Sequence, residues 1–184
     1  MRTLKYAILG LLNKEPMTGY DIGKEFSRDL GEFWNAKHSQ IYPELKKLLD
    51  EGLIVFEIQI SGEILEKKLY SITEQGKAAF LQWLQKVEPL EPTPKDVFRL
   101  RMYFSSNLDV TTRIHLLEDQ LHQHQDRLKH LSKNKERYEN IPPLDSDNFG
   151  DYLVLDGAIL RETVTIQWLE NYINYCKTSE NNPV

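Results

Sequence analysis

The chain has 184 residues, 40% hydrophobic and 28% charged, with one cysteine and a net charge of −5 at pH 7. A single cysteine excludes an internal disulfide and a cysteine-built zinc site, and suits a reducing cytoplasm. No run approaches the roughly eighteen apolar residues of a membrane span, and the N-terminus carries no signal-peptide pattern. The net charge argues weakly against nucleic acid. However, residues 1–90 carry 12 basic and 13 acidic residues, leaving most of the excess acid in residues 91–184. Duplex binding needs a local basic face rather than a basic protein.

Leu4, Ile8, Leu11 and Leu12 recur at i, i+4, i+7 and i+8, so residues 3–13 read as a first helix, ended by Pro16. Thr18 and Asp21 form a capping-box-like start for a second helix. Ile22, Phe26 and Leu30 are its inward face, and Gly31 closes it. In "HSQIYPELKKLLDEG", Ile41, Leu45, Leu48 and Leu49 form the buried stripe of a third helix. Ser39 is its expected N-cap and Gly52 its stop, with Pro43 near enough to the start to be tolerated. After Gly52 the period changes to two. Ile54, Phe56, Ile58 and Ile60 alternate with polar or outward positions, "SG" at 61–62 signals a turn, and "KKLYSI" resumes the alternation, giving a hairpin. Thr73 caps a fourth helix with Phe80, Trp83, Leu84 and Val87 as core candidates.

Three helices followed by a two-stranded hairpin is the order of a winged helix-turn-helix, expected over residues 1–88. In that fold the third helix enters the major groove, which gives its polar front a use. Gln40 is suited to a base edge, Tyr42 and Pro43 to a thymine methyl, and Lys46, Lys47, Lys67 and Lys68 to phosphates, with Lys37 and Ser39 beside them. The N-terminus of the second helix, at Thr18, Gly19 and Tyr20, offers free N–H groups to a phosphate. On that segment alone a solvated surface helix explains the same residues.

"EPLEPTPKD" has the composition of a stiff linker. Beyond it a helical domain is expected over residues 95–178. It comprises a helix in "KDVFRLRMYFSSNL", a long helix from Thr111 or Thr112 to about Asn140, and a last helix from Asp147 to about Lys177. Leu117, Leu121, His124, Leu128, Leu131 and Tyr138 mark a heptad-like seam, imperfect at His124 and Lys135. Ile159, Thr163, Ile166, Leu169 and Ile173 line one side of the last helix. Two such seams are more than a small domain buries alone, so dimerisation is expected, with an intramolecular hairpin as the alternative. The expected class is therefore mainly α with a small β hairpin, a winged helix plus a helical dimerisation domain.

No GxSxG, P-loop, dinucleotide glycine pattern or HExxH occurs. His122 and His124 point about 200° apart on a helix, and His115 and His122 lie about 10 Å apart along it. No metal, cofactor or catalysis is expected.

"LKYAILGLL", "MTGYDI", "FWNAKHSQIYPELKKLLDEGLI", "EKKLYSITEQGK" and "FGDYLVLDGAILRE" resemble the PadR family of bacterial transcriptional regulators over nearly the whole chain. The resemblance implies a cytoplasmic homodimeric repressor of phenolic acid decarboxylase expression on a palindromic operator. It implies release by a hydroxycinnamic acid such as p-coumaric or ferulic acid. Carried over by position, Gln40, Tyr42, Pro43 and Lys46 would read the groove while Thr18, Gly19, Tyr20, Lys67 and Lys68 grip the backbone. Glu63 and Ile64 stand at the wing tip where a basic residue is common, which argues against a strong minor-groove contact there. A phenolic carboxylate needs apolar walls and a donor. Trp34 and His38, just before the third helix, are candidates, as are Tyr6, Phe33, Arg99, Tyr103 and Tyr152, each with a packing explanation of its own. Two alternatives remain, a regulator of this fold with another aromatic or drug effector, and a helical adaptor that contacts protein rather than DNA.

Overall fold

In a computed structural model, described over residues 2–34, 36–61, 65–90 and 92–181, the chain divides into two compact units, Met1–Leu90 and Glu91–Val184. Glu63 and Ile64 lie outside the described residues.

The first unit contains α1 (Thr3–Lys14), β1 (Met17–Thr18), α2 (Gly19–Glu25), α3 (His38–Asp50), β2 (Ile54–Ser61), β3 (Leu65–Ile72) and α4 (Glu74–Leu84). The hairpin forms where the alternation places it, and β1 adds a third, antiparallel strand, Met17 pairing with Tyr70 and Thr18 with Leu69. A two-residue strand has too little pattern to see in sequence. The core gathers Ile8, Leu9, Leu12, Ile22, Phe26, Ile41, Leu45, Leu48, Ile54 and Tyr70.

Three local expectations are corrected. α2 ends at Glu25 rather than running to Gly31, because Ser27 Oγ donates to the Gly23 carbonyl at 3.2 Å, and the Ser27 N–H turns to Lys24 instead. Phe26 stays in the core, while a short 3-10 turn, Asp29–Glu32, follows. α3 starts two residues early: Lys37 is the N-cap, and Ser39 lies inside the first turn. Leu84 and Val87 are exposed, Val87 at 96%, because α4 ends before its last turn can return to the core. Gly52, with φ of +68°, ends α3 in the left-handed conformation that glycine adopts without a Cβ clash.

The second unit contains α5 (Val97–Tyr103), α6 (Val110–Lys135) and α7 (Asp147–Asn181). α6 is capped by Asp109, whose carboxylate accepts the Thr112 N–H at 2.8 Å, and it ends before Asn140. Arg113 holds the preceding turn through the Ser105 carbonyl at 2.7 Å. α6 and α7 form an antiparallel pair around Ile114, Leu117, Leu169, Ile173 and Cys176. Both imperfections of the α6 seam meet a carboxylate across it. His124 bonds to Glu162, and Lys135 to Asp156 at 2.5 Å. The α7 seam therefore passes through Glu162, itself bridged to Arg127 at 3.2 Å, and not through the exposed Thr163.

Charge also anchors α3. Arg2 Nε reaches the buried Glu44 at 2.7 Å, Arg2 also pairs with Glu51, and Lys5 Nζ meets Glu51 at 2.8 Å. Hydrogen bonds from Arg2 and then Lys5 hold the Glu51 carboxyl below the usual carboxylate range. Its stabilising contribution is thus present above the ordinary value of about 4.3 and is lost as pH falls through the lower folded value. Between pH 5 and 3 the melting temperature of the wild type should fall more steeply than that of Glu51→Gln. Parallel curves would remove the clamp from the stability of the fold.

Candidate nucleic-acid interface

At 100° per residue, α3 presents four sides. The inner side is Ile41, Leu45 and Leu48, all buried. One flank carries Glu44 and, just past the helix end, Glu51, both held by Arg2 at the N-cap of α1, and Glu51 also by Lys5. The opposite flank carries His38 and Tyr42, four residues apart, and it meets Gly19 and Gly23 of α2, also four apart. A Cβ on Gly23 would stand 2.2 Å from the His38 ring, and one on Gly19 would stand 2.8 Å from the Tyr42 ring. Two glycines thus form the seat for two rings. The outward side holds Ser39, Gln40, Pro43, Lys46 and Lys47, all exposed, with Lys37 just before it. Asp50 ends this basic side at its C-terminal limit.

Gln40 is less free than its sequence position suggests. Its Oε1 accepts the Lys37 N–H at 3.0 Å, so the side chain caps its own helix. The amide NH₂ remains to donate, which suits a purine N7 or O6, or a thymine O4. The two-way pairing with adenine would have to share Oε1, through its second lone pair, with the cap. Thr18 Oγ1 accepts the Asp21 N–H at 3.2 Å, and Asp21 Oδ2 answers the Thr18 N–H at 3.3 Å. That capping box occupies part of the α2 N-terminus offered to a phosphate, leaving Gly19 buried beneath Tyr42 and Tyr20 exposed.

The hairpin separates its two lysines. Cross-strand partners share a face, and the register pairs Ile58 with Lys68 but Gln59 with Lys67. Lys68 shares its face with Phe56 and Tyr70, while Lys67 shares the other with Glu57 and Leu69. Tyr70 is buried and its hydroxyl is pushed up by that burial and by Tyr42 of α3. The Lys68 face is therefore the one that adjoins α3, and the two lysines cannot grip the same stretch of backbone.

The effector candidates are divided between the two units. In the first unit Tyr6 stacks on Trp83 with centroids 4.8 Å apart, His38 sits on Gly23, and Phe33 and Trp34 are exposed. In the second, Arg99 is bridged to Asp96 at 3.2 Å, and Tyr103 lies edge-on to Phe104. Tyr152 lies edge-on to Tyr138 near the other end of the α6–α7 pair, under Lys135. α5 packs through Phe98 on Trp168, sixteen residues and roughly 24 Å along α7 from Tyr152, so Tyr152 and the α5 residues share no pocket within this unit. Among the described residues no group of three or more His, Cys, Asp or Glu side chains could hold a metal, and no helix is long and apolar enough to cross a membrane. His115 and His122 pair with Asp119 and Asp126 on their own helix.

A helix-turn-helix whose second helix turns a basic side outward beside a β wing defines a winged-helix regulator. The sequence pattern of the PadR-like family of transcriptional regulators matches residues 8–82, and that of the virulence activator alpha C-terminal region matches residues 94–177. The negative transcriptional regulator PadR of Bacillus subtilis is 47% identical over 176 residues, spanning 94% of this chain and 97% of that protein. The crystal structure of B. subtilis PadR with operator DNA superposes with a TM-score of 0.90 at 46% identity, over 95% of this chain and 99% of that one. The structure of the same regulator with p-coumaric acid gives 0.86 at 43%, over 96% and 99%. The chain belongs to the PadR-like family of transcriptional regulators, which are not enzymes.

The glycine seat is testable by itself. Gly23→Ala must displace His38 or move α3, and should lower stability by about 1–3 kcal/mol in denaturant unfolding. Gly150→Ala, with nothing within 4 Å of the added methyl, should be neutral or stabilising. Equal effects of the two would show that α3 is not seated this way.

Proposed function

We propose that the protein is a cytoplasmic homodimeric repressor of phenolic acid decarboxylase expression. It binds a palindromic operator through α3 and is released by a hydroxycinnamic acid such as p-coumaric or ferulic acid. The observation that carries this reading is that the basic outward side of α3 belongs to a chain superposing over 95% of its length on operator-bound PadR. In this reading Gln40, Tyr42 and Pro43 meet base edges, Lys37, Ser39, Lys46, Lys47 and the wing meet phosphates, and the exposed Tyr20 extends the grip beside α2. Gln40 acts chiefly as a donor, its oxygen being shared with the cap.

Dimerisation is supported by α7. Leu153, Leu160, Val164, Trp168 and Tyr175 are exposed, and they run along the side opposite Leu155, Glu162, Leu169 and Ile173 at 100° per residue. A helix apolar on two opposed sides can satisfy only one within its own hairpin. A second copy of the same helix covers the other and sets two reading heads about 34 Å apart, the half-site spacing of a palindrome. Release then requires that the acid prefer a dimer whose heads no longer fit the operator. Phe33, Trp34 and His38, beside the start of α3, are the candidates from which a ligand acts most directly on the reading helix. Tyr6 in the same unit, and Arg99, Tyr103 and Tyr152 in the second unit, are the remaining candidates.

Fluorescence anisotropy on the upstream region of the decarboxylase gene tests the reading. Affinity should fall steeply with added salt, the logarithmic slope counting the neutralised phosphates. Gln40→Ala should relax preference at one base position, at about 1–3 kcal/mol, whereas Lys46→Ala should weaken all sequences alike. p-Coumarate should release the DNA. Salt-independent binding favours the protein adaptor, and a complex indifferent to p-coumarate removes phenolic acids as effectors. Separately, Val164→Glu should dissociate the dimer in sedimentation velocity.

A further inference from the structure

The wing carries an aromatic ring that the assignments above do not use. Phe56 is 39% exposed, and it lies on the α3-facing side of the hairpin, tilted against Tyr70 with centroids 6.0 Å apart. The Lys68 ammonium stands 4.3 Å over its ring centroid. Next to Phe56 on the same face, Ile58 is exposed too. This surface is anchored at its base by the buried Ile54, Tyr70 and Met17.

A lysine on an exposed strand has a flexible four-carbon stem and many rotamers to lose on contact. A ring face attracts an ammonium without neutralising it, whereas a carboxylate partner would compete with a phosphate for the same charge. Phe56 therefore confines the Lys68 ammonium while leaving its positive charge available. Among the described residues of its own face, Lys67 has no such ring.

We propose that Phe56 is a positioning residue that presents Lys68 to the DNA backbone, and that Lys68, not Lys67, is the wing's electrostatic contribution to operator affinity. The proposal rests on the operator-binding reading.

A double-mutant cycle on the full-length dimer tests it, with operator affinity measured across a potassium chloride series. Lys68→Met should lower the salt slope by about two, one phosphate for each wing. Lys67→Met should leave the slope near the wild-type value. Phe56→Leu should weaken binding by about two- to fivefold per wing, squared for the dimer, the range of an exposed cation–π contact. Phe56→Tyr, which keeps the ring face, should restore it. In the Lys68→Met background Phe56→Leu should cost nothing further, with thermal melts confirming that each variant folds. An equal cost of Phe56→Leu in both backgrounds would show that the ring acts through the fold of the hairpin and overturn the proposal. Equal slopes for the two lysine variants would overturn the assignment of faces. Wild-type binding that is flat across salt would instead overturn the operator reading itself.

Discussion

A helix that is to offer one side to a partner and bury another has only its two flanks left by which to be held, and α3 is held by both. One flank is fixed electrostatically through Arg2 and Lys5 on Glu44 and Glu51. The other is fixed sterically, through two glycines that admit the rings of His38 and Tyr42. The two devices fail under different conditions: acid or a lost charge weakens the first, and an added methyl group weakens the second. Together they set the rotation of α3 about its own axis. At 100° per residue, a rotation by a single residue would carry Lys46 or Gln40 from the outward side to a flank. Everything proposed for this surface depends on that rotation being fixed.

The same economy governs the second unit. Its helices are joined by polar pairs inside an apolar seam, His124 and Arg127 on Glu162 and Lys135 on Asp156. Such pairs add little net stability, but breaking one leaves a charge without its partner. A heptad seam of leucines alone tolerates slippage by one repeat, whereas each of these pairs matches at only one register. The exposed apolar side of α7 is thereby carried in a fixed frame, as its role in pairing two copies would require.

How much of this could be read from the sequence depends on the range of the interaction that fixes it. α1, α3, the hairpin and the long second-half helices follow from periodicity, which is local, and each stands where its pattern placed it to within a few residues. β1 did not follow, since a two-residue strand exists only through pairing with β3, fifty residues away. The length of α2 is not legible in its periodicity, because one hydroxyl, that of Ser27, takes the carbonyl the next turn needs. Periodicity favours Thr163 over Glu162, because a carboxylate counts against a seam until its partners, here His124 and Arg127, lie opposite. The glycine seat had a signal, Gly19 and Gly23 at the same spacing as His38 and Tyr42, but spacing alone does not show that α2 and α3 meet along those sides. Nor does adjacency show that Lys67 and Lys68 share a role. In a strand, consecutive residues are the pair least able to do so.

The seating of α3 also constrains how binding could be controlled. To move from almost full to almost no occupancy, an effector must favour the released state by about 5.5 kcal/mol. Unseating α3 would consume much of that differential affinity, because it would break an ion-pair clamp and empty a packed seat in each head. Changing the separation or orientation of two intact heads breaks neither. A palindromic operator accepts only one half-site spacing, so a displacement shared between two rigid heads lowers affinity through both contacts at once. The firmness with which α3 is held within its own unit therefore favours control through the geometry of the dimer over control through the fold of the reading head.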